Sequence, residues 1–399
     1  MIDKLLQPEV QKFIMDHQFD DPFVLSLKSK KGAPVSPVGT GFPLKQAIEQ
    51  IQSLQKARNK IPSWVNAENV IWPPPISIEQ SSSELAAKFK ANSIHGKTMV
   101  DLTGGMGVDA SFFADSFEEV HYVENNPQLV ELAKHNFKAL GKNNITVHNS
   151  SAEKFIECRT EKIDAIFIDP SRRLNDKKVF KLEDCSPNVY SVVPSCLKFT
   201  NQLLIKLSPL VDLSLLIKDF SPVNIWVISI KNEVKEVLCL IQHEKSTAQI
   251  MAIDLKTGGE KSLFEFKQEE EVKTENVFSL PLKYIYEPSA GILKAGAFKL
   301  IGHRFGLYKL QVNSHLYTSD ELKIDFPGRI FLLKALIRKD KKAIARVVPN
   351  KKVNVLTRNY PLSPDRLKKK LSLKDGGEHF LIGTTLMDGK KVLLLCERV

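Results

Sequence analysis

Apolar residues recur at helical steps through the first part of the chain, as at Ile48, Ile51 and Leu54 with polar residues between them. This predicts a small helical N-terminal domain over residues 1–78. Lys30-Lys31-Gly32-Ala33-Pro34-Val35-Ser36-Pro37 interrupts it as a loop, and Trp72-Pro73-Pro74-Pro75 ends it, since successive prolines cannot continue a helix. Helix is expected to restart at Ser81, where Glu84 three residues on has the form of a capping box and Leu85, Ala86 and Phe89 supply an apolar face. From Thr98 the pattern becomes short apolar runs separated by helical stretches. Strands are predicted at Thr98–Thr103, Val120–Glu124, Ile145–Val147, Asp164–Ile168, Leu203–Lys206, Ile225–Ile228 and Val237–Ile241, with a helix from Pro127 to Leu140. Strand and helix in alternation mean α/β architecture with a doubly wound, Rossmann-like parallel sheet of seven strands over residues 79–245. The last two strands lie too close for a helical crossover, which predicts an antiparallel hairpin at the sheet edge.

Beyond His243 the pattern is strands and turns. Ala248–Leu255, the turn Thr257-Gly258-Gly259 and Leu263–Phe266 precede an acidic run, Glu269–Glu271, that reads as a solvated loop. The remainder mixes short strands with helices, among them Ile330–Ile337 and a segment Ser363–Leu371 that begins Ser-Pro-Asp. Residues 246–320 are assigned to a small α+β domain of ferredoxin-like kind, and 321–399 to a basic α+β module.

Composition changes the picture at one point only. The 399 residues are 26% charged and 43% hydrophobic, as expected of a folded protein with more than one domain. No apolar run approaches the ~18 residues of a membrane span, and Met1-Ile2-Asp3-Lys4 opens no signal sequence, so the chain is expected in the cytoplasm. The five cysteines show no CxxC spacing and the nine histidines are scattered, which supports neither a disulfide framework nor a metal site. Charge is the exception. Residues 321–399 hold 19 Lys and Arg against 8 Asp and Glu, an excess equal to the formal +11 of the whole chain. So concentrated a basic module points to an anionic partner, RNA or DNA, against the plainer alternative of a lysine-rich solvated face.

The candidate chemistry gathers around residues 98–124. Asp101-Leu102-Thr103-Gly104-Gly105-Met106-Gly107-Val108-Asp109 joins a strand to a helix through glycines, the turn a nucleotide-like ligand requires. Glu124 closes the next strand, where a carboxylate can hold a ribose diol. Gly105–Ala110 also fits the GxGxxA form of a dinucleotide turn, so the glycines alone leave open a nicotinamide-dependent oxidoreductase. A fourth strand runs directly into Asp169-Pro170-Ser171-Arg172-Arg173, at the switch point where open sheets bind ligand.

With these residues the chain resembles class I S-adenosylmethionine-dependent methyltransferases. Asp101-x-Thr103-x-Gly105-x-Gly107 is similar to their cofactor loop, with threonine replacing the first glycine; Glu124 is similar to their ribose-binding acid, and Asp169-Pro170 to the Asp-Pro motif of the amino-methylating branch. Glu79–Glu84, Asp101–Gly105, Asp169–Arg173, Lys206-Leu207-Ser208-Pro209 and Asn359-Tyr360-Pro361-Leu362-Ser363-Pro364 together resemble bacterial methyltransferases with a THUMP-like C-terminal domain. The resemblance implies S-adenosyl-L-methionine as cofactor, held by Asp101, Thr103, Gly104, Gly105, Gly107, Asp109, Glu124, Asn125 and Ser151. It implies an RNA substrate, tRNA or rRNA, methylated on a base nitrogen that Asp169 and Pro170 orient. Ser171, Arg172, Arg173, Lys368, Lys369 and Lys370 are the expected RNA contacts. Arg172 stands where this class usually carries an aromatic residue, and a guanidinium plane can stack on a base or hold a phosphate. Uracil-C5 methylation would need a thiol at Lys206–Pro209, where there is none, leaving only Cys185 or Cys196 from other elements. A non-catalytic RNA-binding protein is the other alternative, against which the intact Asp101, Glu124 and Asp169 set speaks.

Overall fold

The computed structural model describes residues 2–30, 41–171, 173–174, 177–178, 182–244, 246–256, 258, 261–337, 344 and 346–399. The expected loop at 30–37, Arg172, and Lys339, Lys341 and Lys342 of the basic module therefore fall wholly or largely outside the described residues. The chain divides into two compact units. The first comprises residues 1–212, 218–223 and 238–246, the second 213–217, 224–237 and 247–399.

In the first unit, helices Pro8–Asp16, Pro22–Lys30 and Leu44–Ala57 form the N-terminal part. Leu44–Ala57 buries Ala47, Ile51 and Leu54, and also Gln50, whose carboxamide closes a two-way bond with the backbone of Trp72 at 2.7 and 2.8 Å. A buried amide is stable there because both its ends are satisfied. Pro75 does not merely end the region. It begins the helix Pro75–Gln80, where a missing N–H costs nothing. The next helix, Glu84–Ala91, is capped by Ser83, which accepts from the Ala86 N–H at 3.3 Å. The expected capping box at Ser81 is thus corrected by two residues: Ser81 ends the preceding helix, and Glu84 accepts instead from the Ser63 N–H and Lys88.

The parallel sheet of this unit is built from β1 (Thr98–Asp101), β2 (Glu119–Glu124), β3 (Ile145–Asn149), β4 (Ala165–Ile168) and, after two-residue strands β5 (Arg173–Leu174) and β6 (Lys177–Lys178), β7 (Leu203–Leu207). Parallel pairs β4–β7, β1–β4, β1–β2 and β2–β3 give the order β7-β4-β1-β2-β3, so the chain reverses direction across the sheet at β1 and β4. The carboxyl ends of these two strands carry Asp101 and Asp169. Residues 238–241, the end of β9 (Glu233–Ile241), lie beside β7.

In the second unit, β8 (Asn224–Ile230) lies beside the start of β9. The hairpin is not at a sheet edge. β10 (Gln249–Leu255) pairs in parallel with β8, and β11 (Lys261–Lys267) pairs antiparallel with β10. β8 is buried from Ile225 to Ser229, and a strand buried on both faces needs its backbone groups paired on both sides. The whole acidic run Glu269–Glu271, expected as loop, lies in the helix Gln268–Lys273.

The same unit holds a second sheet of β12 (Tyr284–Pro288), β13 (Tyr308–Lys309), β14 (Tyr317–Ser319), β15 (Gly328–Ile337), β16 (Asn354–Arg358), β17 (His379–Thr385) and β18 (Lys391–Arg398), in the order β13-β14-β12-β15-β18-β17-β16. Its pairs are antiparallel except β16–β17. Ile330–Ile337, read from sequence as helix, is part of the strand β15. A central strand flanked by β12 and β18 tolerates a mostly apolar run, broken only by Lys334, that carries no helical period of its own. The helix Pro364–Leu371 is present, with Ser363 at its N-cap and Leu367 and Leu371 in the core. Among the described residues no helix is long and apolar enough to cross a membrane.

Candidate active site

The turn after β1 is shaped by contacts with β2. Gly104 lies against the ring of Tyr122, where a Cβ would collide with it, and the Tyr122 hydroxyl donates to the Gly105 carbonyl at 2.5 Å. Gly107 has φ +88° and begins the helix Val108–Phe113, a left-handed position that disfavours any side chain. The outer side of the turn is open, since a Cβ on Gly105 would meet only the Thr103 carbonyl oxygen, at 3.9 Å. Glu124 ends β2 with Oε2 accepting from the Gly105 N–H at 2.9 Å and Oε1 from the Asn126 N–H at 2.7 Å. Each oxygen keeps a lone pair for a further donor.

Asp101 is buried, and its Oδ1 accepts from the Thr103 N–H at 3.1 Å. Burial first, then the negative charges of Asp109, Asp169 and Glu124, push its carboxyl well above the usual carboxylate range. Thr103 in turn accepts the Asp169 N–H on Oγ1 at 2.6 Å, tying the glycine turn to the end of β4. The Asp169 carboxylate is ion-paired with Lys206 of β7. Pro170 is buried, and Ser171 exchanges two backbone bonds with Ser186 at 2.8 and 3.0 Å.

Asp101, Thr103, Gly104, Gly105, Glu124 and Asp169 are thus linked at one end of the sheet. Other expected cofactor residues are engaged locally. Asp109 accepts from Ser82 Oγ at 2.6 Å and pairs with the fully buried Lys90 at 3.1 Å, so its carboxylate serves the segment before β1. Ser151 caps the helix Ala152–Glu157, and the Asn125 carbonyl accepts from the Asn149 side chain at 3.2 Å. Of the three expected RNA-binding lysines, Lys368 is held by Asp365 and Asp375, each at 2.8 Å, while Lys369 and Lys370 are exposed. Cys185 and Cys196 are buried, and burial pushes the Cys196 thiol up to about 12, which removes it as a nucleophile.

Two residues of this arrangement escape a reading of the sequence. Lys206 looks like a strand residue with a solvated end, and Tyr122 like an ordinary strand aromatic. The signals available for Lys206 were its place near the carboxyl end of a predicted strand and in the Lys206-Leu207-Ser208-Pro209 motif, neither of which names its partner.

The site fits a nucleoside carrying positive charge. Repulsion among Asp101, Glu124, Asp109 and Asp169 is offset in part by Lys90 and Lys206, and a cationic ligand offsets it further, whereas a pyrophosphate would add to it. No group of three or more metal-ligating side chains gathers among the described residues.

Comparison with known proteins agrees. Residues 96–244 match a family described as RNA cap guanine-N2 methyltransferase, residues 284–327 a ferredoxin-like domain, and residues 328–398 a THUMP-like domain. The chain is 31% identical to the protein of a crystal structure described as "putative methyltransferase from Porphyromonas gingivalis W83", with 98% of this chain and 97% of that one covered and a TM-score of 0.84. It is 21% identical over 303 residues, 75% of this chain and 80% of the other, to an otherwise uncharacterized S-adenosylmethionine-dependent methyltransferase of Mycobacterium tuberculosis H37Rv. With the glycine turn, the acidic residue closing β2 and the Asp-Pro end of β4 already in place, these likenesses identify the chain as a member of the class I S-adenosylmethionine-dependent methyltransferases that carry a THUMP-like C-terminal domain.

Proposed function

We propose that this chain methylates a base nitrogen of RNA, with Asp169 and Pro170 orienting the acceptor amine. The observation that carries the reading is the Asp169-Pro170 step at the end of β4, tied by Thr103 to the cofactor turn and by Lys206 to β7. The likeness of residues 96–244 to a family acting on a guanine amine, and of 328–398 to THUMP domains, supports a nucleic-acid acceptor.

When bound, S-adenosylmethionine supplies a methyl group already activated on sulfur. The glycine turn would hold the nucleoside against backbone and Glu124 its ribose hydroxyls, while Asp101 would release the proton that burial and its acidic neighbours hold on it and face the cationic end as a carboxylate. Asp169 is exposed enough to meet a substrate, at 35% of its side chain, and accepts one amine N–H on its carboxylate while the Pro170 carbonyl accepts the other. Two such bonds aim the nitrogen lone pair and stabilise the positive charge that develops on it. Lys206 fixes the carboxylate in that orientation.

The test is Asp169→Ala. Methyl transfer to RNA is expected to be lost while S-adenosylhomocysteine affinity stays within a few-fold; normal transfer by this variant overturns the assignment. Nucleoside mass spectrometry of RNA from cells with and without the gene identifies the modified base.

A further inference from the structure

A hollow of about 570 Å³ opens in the second unit, where the loop after β13 meets the ends of β16 and β17 and the start of β18. Three carboxamides, Gln311, Asn313 and Asn359, line it together with Tyr360, Thr385 and Lys391, and no carboxylate lines it among the described residues. Its volume falls in the range of small-ligand sites.

The walls are built. Asn359 takes a left-handed backbone at φ +50°, a conformation asparagine tolerates better than most residues. Its Nδ2 donates to Gln311 Oε1 at 2.8 Å, and the same oxygen accepts the Asn313 N–H at 2.6 Å. Thr385 Oγ1 donates to the Asn359 carbonyl at 2.5 Å. The Tyr360 ring rests on Gly383, where a Cβ would come within 3.1 Å of it. With the Gln311 oxygen engaged, the Gln311 amide N–H groups, the Asn359 Oδ1 and the Asn313 carboxamide keep their bonding capacity among the described residues. Donors and acceptors therefore stand side by side in fixed positions next to an aromatic ring, with one ammonium group on the rim.

We propose that this hollow seats one unpaired RNA nucleotide, its base edge met by the carboxamides, its plane by Tyr360 and its phosphate by Lys391. The proposal rests on the RNA reading given above. Paired carboxamide donors and acceptors match base edges, an aromatic side chain is the usual platform for an unstacked base, and single-stranded segments are where RNA exposes those edges. Lysines on the helix Pro364–Leu371 can attract a phosphate backbone but carry no sequence information. The hollow has what base discrimination requires.

The test uses the full chain and fluorescent hexaadenylate, hexacytidylate and hexauridylate, with the double variant Asn313→Ala/Lys391→Gln. Both residues are exposed and lie outside the methyl-transfer residues. The wild type is expected to favour one hexamer about ten-fold or more, and the variant to lose that preference and about ten-fold in affinity, with S-adenosylhomocysteine binding and melting temperature unchanged. Ultraviolet crosslinking of the preferred hexamer to wild-type protein should mark the peptide holding Asn359, Tyr360 and Pro361; this arm stands even if the variant proves less stable. A wild type that methylates RNA while the folded variant binds all three hexamers normally overturns the hollow alone, as do crosslinks confined to other peptides. A wild type that neither binds the hexamers nor methylates RNA overturns the reading beneath it as well.

Discussion

The backbone N–H of Asp169 donates to Oγ1 of Thr103 at 2.6 Å, joining the end of β4 to the cofactor turn after β1. One hydroxyl thus sets the spacing between the residues expected to hold the donor and those expected to hold the acceptor. Thr103→Val keeps the shape and removes this bond. It should destabilise the fold by about 1 kcal/mol and lower kcat by about ten-fold or more, because a small misplacement of reacting groups is costly. Thr103→Ser should restore most of both; steady-state kinetics and thermal melts of the pair check it.

Lys206 holds the same carboxylate from β7. Lys206→Met should leave S-adenosylhomocysteine affinity within a few-fold and reduce kcat about ten-fold or more, since Asp169 then loses its fixed orientation. Lys206→Arg retains the charge and should recover part of the loss. Equal kcat in the wild type and the methionine variant would remove Lys206 from any role in positioning.

Asp101 predicts a trade between stability and binding. Burial, then the charges of Asp109, Asp169 and Glu124, hold its carboxyl above the usual range. The folded chain therefore keeps a proton that the unfolded chain releases above about pH 4, so this residue's contribution to stability is present at low pH and is lost as pH rises through the raised value. Asp101→Asn keeps the bond from the Thr103 N–H and removes the titration. It should melt higher than the wild type near neutral pH, with the difference shrinking as pH falls toward 4, yet bind S-adenosylmethionine more weakly. Melting curves across that pH range and calorimetric titration measure the two sides.

The three consecutive lysines of the helix Pro364–Leu371 should behave differently from one another. Lys368 is occupied by Asp365 and Asp375, whereas Lys369 and Lys370 are exposed. Reversing Lys369 and Lys370 to Glu should weaken RNA binding and flatten its log–log salt dependence by about 0.7 for each phosphate contact removed. Lys368→Gln should leave the slope near that of the wild type. Identical salt slopes for all three proteins would assign the cluster to solvation.

The acidic and glycine residues of the site were legible because a parallel sheet brings the carboxyl ends of its strands together, so Asp101, Glu124 and Asp169 meet although far apart in sequence. What was not legible depends on pairing across the sheet. Lys206 acquires its partner only because β4 and β7 are neighbours, and Tyr122 its role only because the turn folds back over its ring. β10 could be seen as a strand but not as the partner of β8, since an alternating pattern fixes a face and not a neighbour. Ser81, Ser82 and Ser83 are chemically alike, and only the preceding helix decides which of them caps the next.

Ser82 and Lys90, which lie before β1, reach the carboxylate of Asp109 inside the helix that follows the glycine turn, and Asn136 makes a two-way bond with the backbone of Ile71 at 2.9 and 2.8 Å. The catalytic sheet therefore does not begin where its first strand begins. A fragment cut to residues 96–244, the stretch that matches a methyltransferase family, would strip Asp109 of its buried cation at a cost of about 3–5 kcal/mol and leave the Asn136 amide facing an empty seam. For expression, for crystallisation and for any transplant of this activity onto another scaffold, the smallest portable piece starts upstream, at the helices that the alternating pattern of strands and helices leaves out.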